Sequence, residues 1–191
     1  MKLLPDQLYH IYNQGNNQEI TFLERKDYLL FLSKYRTLVT PYCDTIAYCL
    51  MPNHFHFLIN TSANSVVRTK LGGIEIDQIT NAFRRLLSEY ARDFNIKYDR
   101  TGSLFRQKTK GKQLEEYAFT CFHYIHQNPY RAELVKKMED WEFSSFRDYA
   151  RFRNGTLYRQ DVANQLIEID VNDFYEQSYQ VIPSDFIDKF Y

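Results

Sequence analysis

Cysteine is scarce in this chain. Cys43, Cys49 and Cys121 are an odd number with no CxxC spacing, which speaks against a disulfide framework or a cysteine-based zinc site. No apolar run approaches the length of about 18 residues that a membrane-spanning helix needs. Met1 does not open a signal-peptide pattern. The expectation is a soluble, cytoplasmic protein with no membrane partner. Internal repeats and low-complexity tracts are absent as well. Net charge is also missing, because 24 Lys and Arg balance 24 Asp and Glu. The zero conceals an asymmetry. Residues 161–191 carry seven acids and one base, a net of −6, so residues 1–160 carry 23 bases and 17 acids, a net of +6. A basic body with an acidic tail permits a polyanionic partner without proving one.

Aromatic residues are abundant instead, with 16 Tyr and 15 Phe among 191 residues. A chain of this length can bury a real core, and tyrosines near the surface can stack on planar ligands. Leu8 to Asn13 alternates and reads as a first strand, in which His10 is most simply a residue beside the sheet. Gln14 to Asn17 turns the chain. Tyr28, Phe31, Leu32 and Tyr35 lie at helical spacing within a helix over about 24–38, which Pro41 stops. Asp44 to Leu50 and His54 to Asn60 read as strands joined tightly through Met51-Pro52-Asn53, which suggests an antiparallel pair. Ser62 to Gly73 reads as a loop. Asp77 is a candidate N-cap for a second helix through about Phe94, with Arg84, Arg85 and Arg92 opposite its apolar face. Leu104 to Lys108 is a candidate fourth strand, and Gln113 to Gln127 a third long helix closed by Asn128-Pro129. This alternation predicts an α+β fold. It is a ferredoxin-like sandwich with an antiparallel sheet, helices on one side and a C-terminal extension. The expected division is a domain over 1–150 and an acidic, partly helical extension over 151–191, packed on the body or on another copy.

The chemistry concentrates at two places. In a strand, His54 and His56 project from one face while Phe55 and Phe57 point to the other. Two neighbouring imidazoles are half a metal site. In His123-Tyr124-Ile125-His126-Gln127-Asn128-Pro129, Tyr124 and Asn128 are four apart and share a helix face. Two imidazoles and an amide oxygen, completed by water and a phosphate, would suit Mg²⁺ or Mn²⁺. Such a cation polarises a phosphoryl oxygen, and Tyr124 would be the nucleophile once activated. Spacing alone leaves other readings open, including a zinc site with a third histidine and a plain core role for Tyr124. Between residues 100 and 114 stand five bases and no acid. They fit either a solvated edge strand or contact with nucleic acid.

Met51-Pro52-Asn53-His54-Phe55-His56 resembles the histidine–hydrophobe–histidine motif of the HUH single-strand transposases. The stretch Tyr124 to Val135 resembles the tyrosine segment of their REP-associated branch. Tyr12 to Asn17, Ser103 to Gln107 and Trp141 to Tyr149 match that branch in the same order, so the resemblance covers roughly residues 5–150. It implies a ferredoxin-like fold, a divalent metal (Mg²⁺ or Mn²⁺) on His54, His56 and Asn128, and Tyr124 as catalytic nucleophile. The implied reaction cleaves and rejoins single-stranded DNA beside a hairpin through a 5′-phosphotyrosine. Arg84, Arg85, Arg106, Lys108 and Lys110 would contact DNA phosphates. The rival expectation is a domesticated, non-cutting protein that binds nucleic-acid hairpins on the same scaffold. A homodimer, with Tyr124 serving the partner's metal, stays open.

Overall fold

The computed structural model describes residues 1 and 3–190. Four antiparallel strands, β1 (Leu8–Gln14), β2 (Cys43–Met51), β3 (His54–Thr61) and β6 (Lys110–Leu114), form a sheet in the order β2-β3-β1-β6. Between β3 and β6 lie β4 (Arg68–Leu71) and β5 (Ile74–Asp77), a separate antiparallel hairpin. Helix α1 (Arg25–Leu38) connects β1 to β2, and α2 (Gln78–Lys97) precedes β6. The strands and helices of the sheet thus follow a β-α-β-β-α-β order, the ferredoxin-like arrangement. Then come α3 (Ala118–Arg131), α4 (Phe146–Tyr149), α5 (Gln160–Ile167), α6 (Phe174–Ser178) and α7 (Ser184–Ile187).

Period-two alternation in β3 gives the sheet two apolar faces. Phe55, Phe57 and Ile59 join Phe31 and Tyr35 of α1 and Phe83, Leu86 and Tyr90 of α2 in one core. The Tyr35 and Phe57 rings stack 4.0 Å apart and 5° from parallel. Each such fully buried side chain contributes about 1.5–3 kcal/mol. Leu58 points the other way, into a second core with Cys49 of β2, Phe122 and Ile125 of α3, Phe146 and Tyr149 of α4, and Phe174 of α6. The α+β class and antiparallel sheet are as expected. Helices on one side describes only α1 and α2, because α3 and the chain after it cover the opposite face.

Three local readings change. Ser62 to Gly73 is not a plain loop, since β4 and β5 meet at Gly72 and Gly73, whose φ angles of 55° and 84° suit a tight hairpin turn. The fourth strand of the sheet is not Leu104 to Lys108 but Lys110–Leu114. Glycine and lysine in that strand weaken its sequence signal. Helix α3 begins at Ala118, not near Gln113, and runs through Pro129 to Arg131. Proline has no N–H to give the Ile125 carbonyl. The Asn128 side-chain amide fills in, donating to the Tyr124 carbonyl at 2.9 Å and the Ile125 carbonyl at 3.4 Å. The Asp77 carboxylate caps α2 as expected, accepting from the Thr80 N–H at 3.0 Å.

The C-terminal extension packs on α3 of its own chain. Gln127 Nε2 donates to the Ser178 and Gln180 carbonyls at 2.8 and 2.7 Å. His123 Nδ1 lies 2.9 Å from Ser178 Oγ, and Phe190 is fully buried. Burial lowers the His123 pKa to about 4. Its folded pKa is below its unfolded one, so the unfolded chain binds the proton first and stability falls as pH drops from about 6.5 toward about 4. Urea unfolding between pH 7 and pH 5 checks this. His123→Gln should lose stability on acidification less steeply than the wild type, by up to about 1.4 kcal/mol per pH unit below pH 6.5.

Candidate active site

Residues Leu8 to Gln14 run antiparallel to β3 with Tyr12 opposite His56 and Gln14 opposite His54. This pairing places the two histidines beside a cavity of about 330 Å³ lined by Tyr12, Asn13, Gln14, His54, His56, Arg106, Lys108 and Lys110. Arg106 and Lys108 are held there outside any strand, and Lys110 opens β6. Asn13 Nδ2 donates to the Arg106 carbonyl and to Thr109 Oγ1, each at 3.1 Å. The Arg106 N–H returns a bond to the Gln14 carbonyl at 2.9 Å. Arg106, Lys108 and Lys110 also border a larger cavity of about 670 Å³, floored by Phe83, Leu87 and Leu104 and edged by Arg84. The two cavities therefore share one basic wall.

The histidines are arranged as neutral bases. The His54 and His56 rings meet edge to face with centroids 4.9 Å apart. Burial lowers the His54 pKa to about 4. Burial first, then His10 and His54, holds His56 well below its ordinary value. Neutral imidazole is the form that binds a metal. His54 Nδ1 lies 2.6 Å from Asn53 Oδ1. An amide oxygen only accepts, so Nδ1 carries the hydrogen and Nε2 the lone pair. A partner that fixes one nitrogen and leaves the other to the metal is the usual support of a histidine ligand.

Tyr124 comes from α3 on the same side of the sheet. Its ring centroid lies 6.0 Å from that of His56, and the Phe190 ring lies 5.1 Å away on another side. Asn128 sits one turn further along. Its amide nitrogen is committed to the helix carbonyls, which leaves Oδ1 as the atom a cation could use. No hydrogen bond joins Asn128 to either histidine among the described residues. Nor do the described residues gather three or more His, Cys, Asp or Glu as a metal cluster. The donor set fits an open site: two imidazoles on one strand, with remaining positions for water or phosphate oxygens. His126 stands apart, with Nε2 2.8 Å from Ser145 Oγ in the second core.

Of the five expected phosphate contacts, Arg84, Arg106, Lys108 and Lys110 line the cavities. Arg85 lines neither and pairs with Glu89 at 3.3 Å. Sequence reading missed Asn13 and the role of His10, whose Nε2 lies 2.8 Å from His56 Nδ1. The signal was available: His10, Tyr12 and Gln14 alternate on a strand, and its partner strand carries the histidine pair.

No family model matches the chain. A Haemophilus influenzae protein provisionally named a REP-associated tyrosine transposase is 26% identical over 132 residues, covering 63% of this chain and 72% of its own. A solved structure of a REP-associated tyrosine transposase bound to a REP hairpin superimposes with a TM-score of 0.58 at 18% identity, over 95% of each chain. This chain has the fold of a REP-associated tyrosine transposase. Both comparisons bear out the resemblance read from the ordered motifs. A bacterial tRNA(His) guanylyltransferase-like protein in complex with GTP is matched at a TM-score of 0.49 and 11% identity, over 70% of this chain and 67% of its own. Among the described residues no helix is long and apolar enough to cross a membrane.

Asn128→Asp tests what the Asn128 amide does for α3. The carboxylate removes the donor to the Tyr124 and Ile125 carbonyls. Urea unfolding should show a loss of about 1–3 kcal/mol.

Proposed function

We propose that this protein binds a single-stranded DNA hairpin and cleaves and rejoins the adjoining strand through a 5′-phosphotyrosine at Tyr124. The observation that carries this reading is the juxtaposition of the His54–His56 pair, the Tyr124 phenol and a basic-walled cavity. The two relatives named as REP-associated transposases, one of them solved with a REP hairpin, support it.

His54 and His56 would hold a divalent cation, Mg²⁺ or Mn²⁺, with Asn128 Oδ1 as the third protein ligand. Bound there, such an ion would polarise the scissile phosphate and offset the charge that develops on it. The rest falls to the chain's own groups. Arg106, Lys108 and Lys110 bind the flanking phosphates and bring the strand to the histidines. The Tyr124 oxygen attacks phosphorus and forms the Oη–P bond. The bond from phosphorus to the 3′ oxygen breaks, and that oxygen leaves as a hydroxyl after taking up a proton, while the phenol proton is lost to solvent. Because the phosphotyrosine conserves the ester, a second 3′-hydroxyl can attack it and restore both the phosphodiester and the phenol. A phenol is a poor nucleophile at neutral pH, since its ordinary pKa is about 10. A cation held by His54 and His56 would supply the activation.

The rival reading is a non-cutting hairpin-binding protein, and two measurements separate the two. With a hairpin carrying flanking single strand in Mn²⁺ or Mg²⁺, the wild type should form a covalent adduct on a denaturing gel. Tyr124→Phe should abolish the adduct and leave hairpin binding within a few-fold. A wild type that binds but never forms the adduct sinks the enzymatic reading in favour of the rival. Binding should also weaken steeply with salt, since each neutralised phosphate of a single strand contributes about 0.7 to the log–log slope. Lys108→Ala should reduce that slope by about one such increment, and a flat salt response would remove the basic wall from the interface.

A further inference from the structure

His10 lies on β1, completely buried, and takes no part in the reaction described above. Both of its ring nitrogens are engaged. Nδ1 is 3.0 Å from the Phe190 carbonyl oxygen, and Nε2 is 2.8 Å from His56 Nδ1. The His10 and His56 rings lie 5.0 Å apart, 19° from parallel. The directions of these two hydrogen bonds follow from one fact: a carbonyl oxygen only accepts. His10 must therefore carry its hydrogen on Nδ1, and in the neutral ring its lone pair is on Nε2. His56 Nδ1 must then be the donor in the second bond, and the His56 lone pair is on Nε2. The reverse tautomer would set the His10 Nδ1 lone pair against the carbonyl oxygen, acceptor against acceptor.

We infer that His10 is a positioning residue for the candidate metal centre. Oriented by the Phe190 carbonyl, it holds His56 in the tautomer that offers Nε2 to a divalent cation. The inference rests on the metal reading of His54 and His56 given above and adds what supports the second ligand. His54 is oriented by its neighbour Asn53, whereas His56 is oriented by a relay that ends on a backbone carbonyl near the other end of the chain. Partners that fix the tautomer of a histidine ligand typically matter by about 10–100-fold in metal affinity. The inference also gives the C-terminal extension a structural task at the site, because its backbone sets the direction of the relay.

Two readouts test this on the full-length protein. Nitrogen-15 NMR of the metal-free wild type should show hydrogen on Nδ1 of both His10 and His56. Hydrogen on Nε2 of His56 would overturn the inference without any variant. Mn²⁺ affinity is then measured by electron paramagnetic resonance for the wild type, His10→Phe and His10→Gln, with thermal melts to confirm folding. His10→Phe removes both bonds and should lose about 10–100-fold in affinity. His10→Gln offers an amide N–H toward Phe190 and an amide oxygen toward His56, so it should keep the His56 tautomer and most of the affinity. Wild-type affinity in folded His10→Phe, or a His10→Gln loss as large as that of a folded His10→Phe, would overturn the positioning role. A wild type with the expected tautomers that binds no Mn²⁺ would instead overturn the metal reading, and this inference with it.

Discussion

Antiparallel pairing between β1 and β3 is the constraint from which the site follows. Its register sets Tyr12 against His56 and Gln14 against His54. A slip of one residue would exchange the faces of every side chain on one strand. Phe55 and Phe57 would then leave the core formed with α1 and α2, and the histidines would enter it. The aromatic packing on that face, including the close Tyr35–Phe57 stack, therefore fixes more than stability. It holds the imidazoles on the opposite face, toward α3 and the cavity.

Burial on both faces of β3 also explains the chemical state of the histidines. A strand with one wet face would leave His54 and His56 near their ordinary pKa. Here α3 and the C-terminal extension cover that face, and burial keeps both rings neutral. Neutral rings can still hold the wrong tautomer. Asn53 resolves this for His54, and the hydrogen-bonded His10 resolves it for His56. The covering layer is thus part of the site's electrostatics as well as its packing.

Much of this was legible in the residues. The alternation in Leu8 to Asn13, Asp44 to Leu50 and His54 to Asn60 placed three strands to within a residue or two of their observed limits. Asp77 marked the start of α2 correctly. The failures share a physical origin. Lys110–Leu114 has the composition of a solvated segment and becomes a strand only because β1 offers it an edge. Pro129 reads as a helix stop, but the Asn128 side chain supplies a donor that proline lacks. The face taken by α3 depended on Leu58 and Cys49 needing cover, a tertiary demand that no local pattern states.

The acidic extension shows the same limit most clearly. Residues 161–191 carry a net charge of −6, yet the contacts that seat them on α3 are uncharged. Gln127 binds two of the extension's carbonyls, Phe174 packs on Phe122, and Phe190 packs on Tyr124. The helix that carries Tyr124 is therefore also the platform for the end of the chain. His123 and Gln127, one face over from Tyr124 and Asn128, hold the extension in place. A single helix thus divides its faces between the candidate site and anchorage. Substitutions on the anchoring face can reach the site through the position of Phe190, even though none of those side chains lines the cavity.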